Sequence, residues 1–338
     1  MNSLMIIFFL SYGLYAFFYN FKFWCIYTIL VVLYYYFTQQ TFYHSSKCNI
    51  GKKINYTAWS TPYDPQVFTT LKLDITKILP YLEKKSEELK DLNEHYKVTT
   101  FTIKLLSIVF KKYPAVHGYI KFGRYEPKEG VDICCLVNVG EGKELANTTI
   151  TNCECKTMRD IHIELKESAG LLKKRKNKEQ NTKMNLYKLI PTFLLGPLTQ
   201  VFSWLSSIGI QVKLLGVRQF EFGSCVITNI GSIGIENSQV PIPPVSFAPA
   251  ILTLCSYYKR NVRNKEDKIE EKIYLKMNFT TDYRFFDYDI AIKMFNDIHK
   301  YGSDPELFEK ECLKYEKKDE KKKKIKINER IRKKIFSN

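Results

Sequence analysis

Histidine and tryptophan are scarce in this chain of 338 residues, at five and three copies. Nothing in it has the form of a phosphate-cradling P-loop or a G-x-S-x-G nucleophile elbow, so neither chemistry is expected. Metal-ligand spacing is missing too. Cys134 and Cys135 are adjacent, and Cys153-x-Cys155 is tighter than a zinc-finger pair, so no metal site is expected. The nine cysteines are odd in number and irregularly placed, which argues against a disulfide framework and for reduced thiols, most of them buried as small hydrophobes. Acidic residues are outnumbered, 35 against 52 Lys and Arg, giving a net charge of +17. No DNA- or RNA-binding motif accompanies that excess, and no nucleic-acid partner is expected.

Charge itself is absent from two stretches. In residues 1–46 Lys22 is the only Lys, Arg, Asp or Glu, and Leu4 to Phe21 and Phe23 to Tyr43 are otherwise apolar or aromatic. A membrane crossing needs roughly 20 such residues, so residues 1–46 are expected to be a transmembrane anchor. Two arrangements stay open: a tight helical hairpin turning at Asn20-Phe21-Lys22, or a single span with the remainder in the interface. A cleaved signal peptide fits less well, because no basic region precedes the apolar run. Lys47, Lys52 and Lys53 follow at once, which places the main domain on the cytosolic side of the membrane. Glycosylation at the sequons of Asn55, Asn147 or Asn278 would overturn that orientation. The second stretch, Leu189 to Val212, is interrupted by Pro191, Gly196 and Pro197 and diluted by Gln200 and three serines. It reads as an apolar helical insertion, interfacial or lining a substrate channel, rather than a span.

The remaining chain alternates strand and helix patterns, the mark of a layered α/β domain. Phe68 to Ile75 alternates as a strand. Leu79 to His95 is an amphipathic helix, and Thr99-Thr100 stand where they could cap the next helix, which stops at Pro114. Val131 to Val139 is an apolar run expected of a strand covered on both faces, and Thr148 to Cys153 is a further strand candidate. Met158, Ile161, Leu165, Ala169 and Leu172 recur at helical spacing. Ile273, Leu275, Met277 and Phe279 alternate with polar residues, predicting a strand with one buried face, paired with Ala250 to Tyr258. Asp289 to Tyr301 is a last helix. Beyond it, Lys314 to Asn338 holds 12 Lys or Arg against 4 Asp or Glu, a basic tail suited to an anionic membrane surface.

Most informative is Asp282-Tyr283-Arg284-Phe285-Phe286-Asp287-Tyr288. It has the outline of a D-H-R-x-x-D-G motif in which Tyr283 replaces the histidine and Tyr288 the glycine. Upstream, Gly223-Ser224-Cys225-Val226-Ile227-Thr228-Asn229-Ile230-Gly231 is similar to G-x-F-T-I-S-N-L-G. Pro241-Ile242-Pro243-Pro244 and Ala248-Pro249-Ala250-Ile251-Leu252 follow in the order expected of the same family. Together these blocks resemble the catalytic domain of the 2-oxoacid dehydrogenase (dihydrolipoamide) acyltransferases, in particular stand-alone members without lipoyl domains. The resemblance implies a chloramphenicol-acetyltransferase-like two-layer α/β sandwich with a mixed β-sheet. It divides the chain into an anchor at 1–46, a linker at 47–67, an acyltransferase-like domain at 68–310 with the insertion at 186–215, and a basic tail at 311–338.

The resemblance also implies acyl transfer from acyl-CoA, which would be substrate rather than bound cofactor, in a site between neighbouring subunits of a homotrimer. Thr228 then matches the hydroxyl that steadies the tetrahedral oxyanion. Asp282, Arg284 and Asn229 match residues that shape the motif, and Asp287, a catalytic candidate with Thr228 and Tyr283, matches a residue that holds the motif's loop in shape. Tyr283 stands where the general base would be. A phenol ordinarily titrates near 10, whereas a base at neutral pH works best near 7, so activity is expected to be weak or lost. His117 is the alternative base. The acyltransferase and a catalytically silent CoA-, acyl- or protein-binding scaffold at a membrane are both consistent with these residues.

Overall fold

The computed structural model describes residues 12–15, 17–18, 21–30, 33, 66–121, 124–139, 144–173, 201, 204–205, 220–242, 246, 248–263 and 266–316. β1 is Gln66–Asp74, α1 Ile78–Lys85, α2 Val98–Lys112, β2 Gly118–Lys121, β3 Arg124–Pro127, β4 Ile133–Val139 and β5 Glu144–Ile150. α3 is Met158–Lys173, β6 Cys225–Asn229, β7 Ala250–Arg263, β8 Ile269–Asp282, α4 Tyr288–Ser303, and α5 covers 305–316.

Six strands form one mixed sheet in the order β1-β8-β7-β6-β4-β5, while β2 and β3 make a separate hairpin. The central pairs β7–β6 and β6–β4 are parallel and the outer pairs antiparallel. One sheet face carries the helices: α3 lies against β4 and β5, α4 against β1, and α2 between α3 and α4. α2 is buried almost all round from Thr100 to Phe110, as befits a helix enclosed by others. Fully buried Lys104 lies within it. Its ammonium donates to the Glu154 carbonyl and pairs with Glu316 of α5 at 2.9 Å.

Several local expectations change. The helix expected through His95 breaks at Lys85 and continues as a 3-10 helix over Ser86–Leu92. Ser86 explains the break: its hydroxyl donates to the Leu82 carbonyl at 2.6 Å and accepts the Tyr96 amide at 2.9 Å, pulling the following chain inward. Thr99 and Thr100 lie inside α2, not at its cap, which is Lys97 without a side-chain hydrogen bond. β5 starts and ends earlier than Thr148 to Cys153 predicted, and Cys153 belongs to a 3-10 turn. β8 buries one face only in its first part; from Met277 to Asp282 both faces are covered. The covering segment holds the polar face by hydrogen bonds. Asn278 donates to the Ser238 carbonyl at 2.7 Å and to Asn237 Oδ1 at 2.9 Å, and Thr280 donates to the Val240 carbonyl at 2.7 Å.

Two sequons are also explained. Asn278 is buried in that network, and Asn147 on β5 donates its amide to Glu221 at 3.0 Å. Near the N-terminus the described residues are helical, and Tyr12 meets Tyr27 at 5.3 Å and Phe17 meets Trp24 at 5.4 Å between ring centroids. Along one continuous helix residues 12 and 27 would stand about 22 Å apart, so the chain doubles back between them. Among the described residues no helix is long and apolar enough to cross a membrane. Most of the 1–46 segment, the linker up to Pro65, nearly all of the insertion and the tail beyond Glu316 lie outside the described residues.

Candidate active site

β8 ends at Asp282, whose amide donates to the Pro249 carbonyl at 2.9 Å. Its own carbonyl then accepts the amides of Phe285 at 2.9 Å and Phe286 at 3.2 Å, reversing the chain in a tight turn. Arg284 does not continue the strand alternation. Its guanidinium folds back on the buried Asp282 carboxylate, with Nε at 3.0 and 3.1 Å and Nη2 at 2.6 Å, while its amide donates to Oδ1 at 2.9 Å. Phe285 and Phe286 then drive into the core, where Phe286 meets Phe110 at 6.3 Å and Phe285 meets Tyr125 at 6.0 Å.

Asp287 ends the turn as the N-cap of α4. Its Oδ1 accepts the Ile290 amide at 3.0 Å and its carbonyl accepts the Ala291 amide at 2.9 Å. Asp suits this position because its short carboxylate satisfies a free amide of the first helical turn. The motif is thus a rigid corner. Tyr283 stands half-buried on it, and its ring meets that of Tyr288, 73 % exposed, edge-on at 6.0 Å.

Thr228 lies on β6, buried, in register with Thr253 of β7, which is in register with Asn278 of β8 and so with Thr70 of β1. These four polar residues form a row across the sheet. Thr70 donates to Asn278 Oδ1 at 2.8 Å. The Thr253 hydroxyl is fully buried and meets no hydrogen-bond partner among the described residues. Thr253 was not anticipated, although a threonine interrupting Ala250-Ile251-Leu252 and Leu254 is the signal that marks it. Two glycines fit β6 to its neighbours. Gly223 adopts φ +62° against the Asp132 carbonyl, and a Cβ on Gly231 would come within 2.5 Å of the Cys255 backbone. Asn229 ties the end of β6 to α2 by donating to Thr99 Oγ1 at 2.9 Å, and accepts the Ser232 amide at 3.2 Å.

The register keeps Thr228 and Tyr283 apart. Tyr283 lies five residues past the Asn278 level and two strands across, about 15–20 Å from Thr228 at ordinary strand spacings. One chain therefore does not bring the oxyanion hydroxyl and the Tyr283 position together.

His117 leads into the β2–β3 hairpin, which reaches the motif through the Tyr125–Phe285 contact. Its ring is buried and neither nitrogen has a hydrogen-bond partner among the described residues. Burial, with the nearby Lys111 and Lys128 charges, pushes its pKa down to about 4, so at neutral pH it is an uncharged, weak base. His162 instead meets Glu94 at 2.6 Å, remote from the motif in sequence. Cys134, Cys135, Cys153 and Cys225 are free and buried. Burial raises all four thiols, Cys134 and Cys153 to about 12, so they are inert as nucleophiles.

The profile of the 2-oxoacid dehydrogenases acyltransferase (catalytic domain) family matches residues 57–185 and 210–309, more than half of the chain. Among solved structures, the chain is similar to the dihydrolipoamide acetyltransferase of Azotobacter vinelandii, with a TM-score of 0.53 and 15% identity over 75% of this chain and 87% of that one. The cubic core of the pyruvate dehydrogenase multienzyme complex gives a TM-score of 0.53 at 14% identity, covering 75% and 86%. A probable dihydrolipoamide acetyltransferase of Listeria monocytogenes gives 0.50 at 17% identity, covering 74% and 86%. These likenesses establish the α/β fold with its mixed sheet. A comparison with curated protein sequences found no match.

Proposed function

The chain belongs to the 2-oxoacid dehydrogenases acyltransferase (catalytic domain) family, and from that premise we propose that it is a membrane-anchored member which takes its acyl group from acyl-CoA. The observation that carries the reading is the preserved corner. The buried Asp282–Arg284 pair and the Asp287 cap hold the residue-283 position on a fixed turn, and Thr228 keeps a hydroxyl on β6. In the reaction, the acceptor's nucleophilic atom loses its proton and attacks the thioester carbonyl. The Thr228 hydroxyl donates to the resulting oxyanion. Collapse expels the CoA thiolate, which takes up the proton. Because Thr228 and Tyr283 stand far apart in one chain, the site is completed by a second copy, as in a homotrimer. The fold is similar to that of the cubic core of the pyruvate dehydrogenase multienzyme complex, which supports this reading.

A tyrosine, Tyr283, stands at the position of the family's general base. General-base catalysis contributes roughly 10²- to 10⁴-fold, so turnover is slow. A second reading, a silent acyl-CoA-binding protein, draws on the contact between Tyr283 and Tyr288, which occupies the base position with a packed aromatic pair. The anchor rests on the apolar composition of residues 1–46 and the doubling back of the chain between Tyr12 and Tyr27. The orientation rests on Lys47, Lys52 and Lys53.

Calorimetric titration of the full-length chain in detergent with CoA and acetyl-CoA tests the proposal. Saturable binding that weakens in Thr228→Ala is expected; no binding by folded protein would overturn it. Tyr283→His then separates the two readings. A rise in acyl-CoA turnover of about 10²-fold or more is expected of the transferase, and an unchanged rate favours the silent binder.

A further inference from the structure

β1 is both the first strand of the domain and an edge of the sheet, and its first residue, Gln66, is in register with Asp282 at the end of β8. The chain therefore arrives from its apolar N-terminal segment beside the motif corner. α4 starts at the same place and runs along β1, so that Gly302 near its C-terminal end packs on Leu73. Exposed apolar side chains of α4 lie beside the point of arrival. On α4, Tyr288 is 73 % exposed and Ile292, one helical turn on, is 60 % exposed. Tyr283, half-buried, joins Tyr288 at its inner edge. The charges beside Ile292, Asp289 and Lys293, pair with one another at 2.6 Å.

We propose that this patch is the surface by which the domain rests on the bilayer, so that the motif corner opens directly onto the membrane interface. The proposal deepens the membrane-anchored reading and rests on it. Residues 47–65 reach roughly 65 Å when extended, so the tether alone would not orient the domain. Orientation comes from having the exposed aromatic and aliphatic side chains at the tether's point of arrival. Tyrosine, apolar in body and polar at its tip, suits the headgroup boundary. Since Asp289 and Lys293 offset each other, insertion proceeds by burial of apolar area and works on uncharged phospholipid. An acceptor dissolved in the bilayer would reach the corner without crossing water, which gives the site a lipophilic substrate class.

The test uses full-length protein in phosphatidylcholine proteoliposomes, in a Cys25→Ser, Cys48→Ser, Cys155→Ser background. A nitroxide is placed on Ile292→Cys or, as control, on Ile269→Cys at the opposite end of β8, about 43 Å along the strand. Collisions with oxygen and with a water-soluble nickel chelate are compared. The label at 292 is expected to favour oxygen several-fold more than the label at 269 does. Equal nickel access at both positions overturns the proposal while leaving the anchor intact. Shielding of 292 from both reagents, in lipid and in detergent alike, assigns the patch to a second copy of the chain and overturns it equally. Flotation of the vesicles separates the premise: protein that fails to float with them sinks the anchored reading and this proposal with it.

Discussion

Asp282→Ala removes a buried carboxylate that accepts four hydrogen bonds from Arg284, at 2.6 to 3.1 Å. Both side chains are almost wholly enclosed, at 1 % and 7 % exposure. Truncating one member of such a pair leaves a buried charge poorly compensated and costs about 3–5 kcal/mol. For a domain of this size each kcal/mol moves the melting midpoint by about 2–4 °C, so a drop of roughly 6–20 °C is expected. Far-UV circular dichroism of the full-length protein in detergent reads it. The double variant Asp282→Leu, Arg284→Leu carries no buried charge and should recover much of the loss, because well-packed apolar replacements of buried ion pairs are often close to neutral. A drop below about 2 °C in Asp282→Ala, or no recovery in the double variant, would refute the argument that this pair, rather than packing of Phe285 and Phe286, fixes the corner.

Three further outcomes are expected. His117 is held near pKa 4 in the folded protein against about 6.5 unfolded. The unfolded chain therefore binds the extra proton first, and stability falls as pH drops from about 6.5 to about 4, by about 3 kcal/mol in full; denaturant titrations of His117→Leu should lack that slope. Asp287→Ala loses the α4 cap and costs about 0.5–2 kcal/mol, whereas Asp287→Ser should cost less, measured by the same unfolding experiment. Lys104→Ala strips a buried ammonium from Glu316 and from the Glu154 carbonyl, and amide exchange should quicken throughout α5 relative to β7.

Much of the fold is legible in residue order because its signals are local. β8 shows its period of two, and α2 and α3 their apolar spacing. The motif corner is recognisable from the spacing of Asp282, Arg284 and Asp287 taken together with the ordered blocks from Gly223 to Leu252. What escaped depends on partners distant in sequence. Ser86 breaks a good helical pattern because it accepts the amide of Tyr96, and the polar face of β8 is buried because residues 237–240 cross it. Thr253 gains its interest only from lying between Thr228 and Asn278, a neighbourhood set by strand order. The same strand order separates Thr228 from Tyr283, which no spacing along the chain reveals.

The pairing of the first strand with the last has a kinetic consequence. Thr70 and Asn278 are bonded across 208 residues, so the edge of the sheet closes only when nearly the whole domain has left the ribosome. At about 5–20 residues per second the first strand waits roughly 10–40 s for its partner. Contacts of such long range make folding slow, and through that interval Leu71 and Leu73, which end fully or nearly buried, have no sheet to join. Deleting β8 should therefore leave β1 a lasting site of aggregation, and a nascent chain stalled before residue 282 should be a chaperone client.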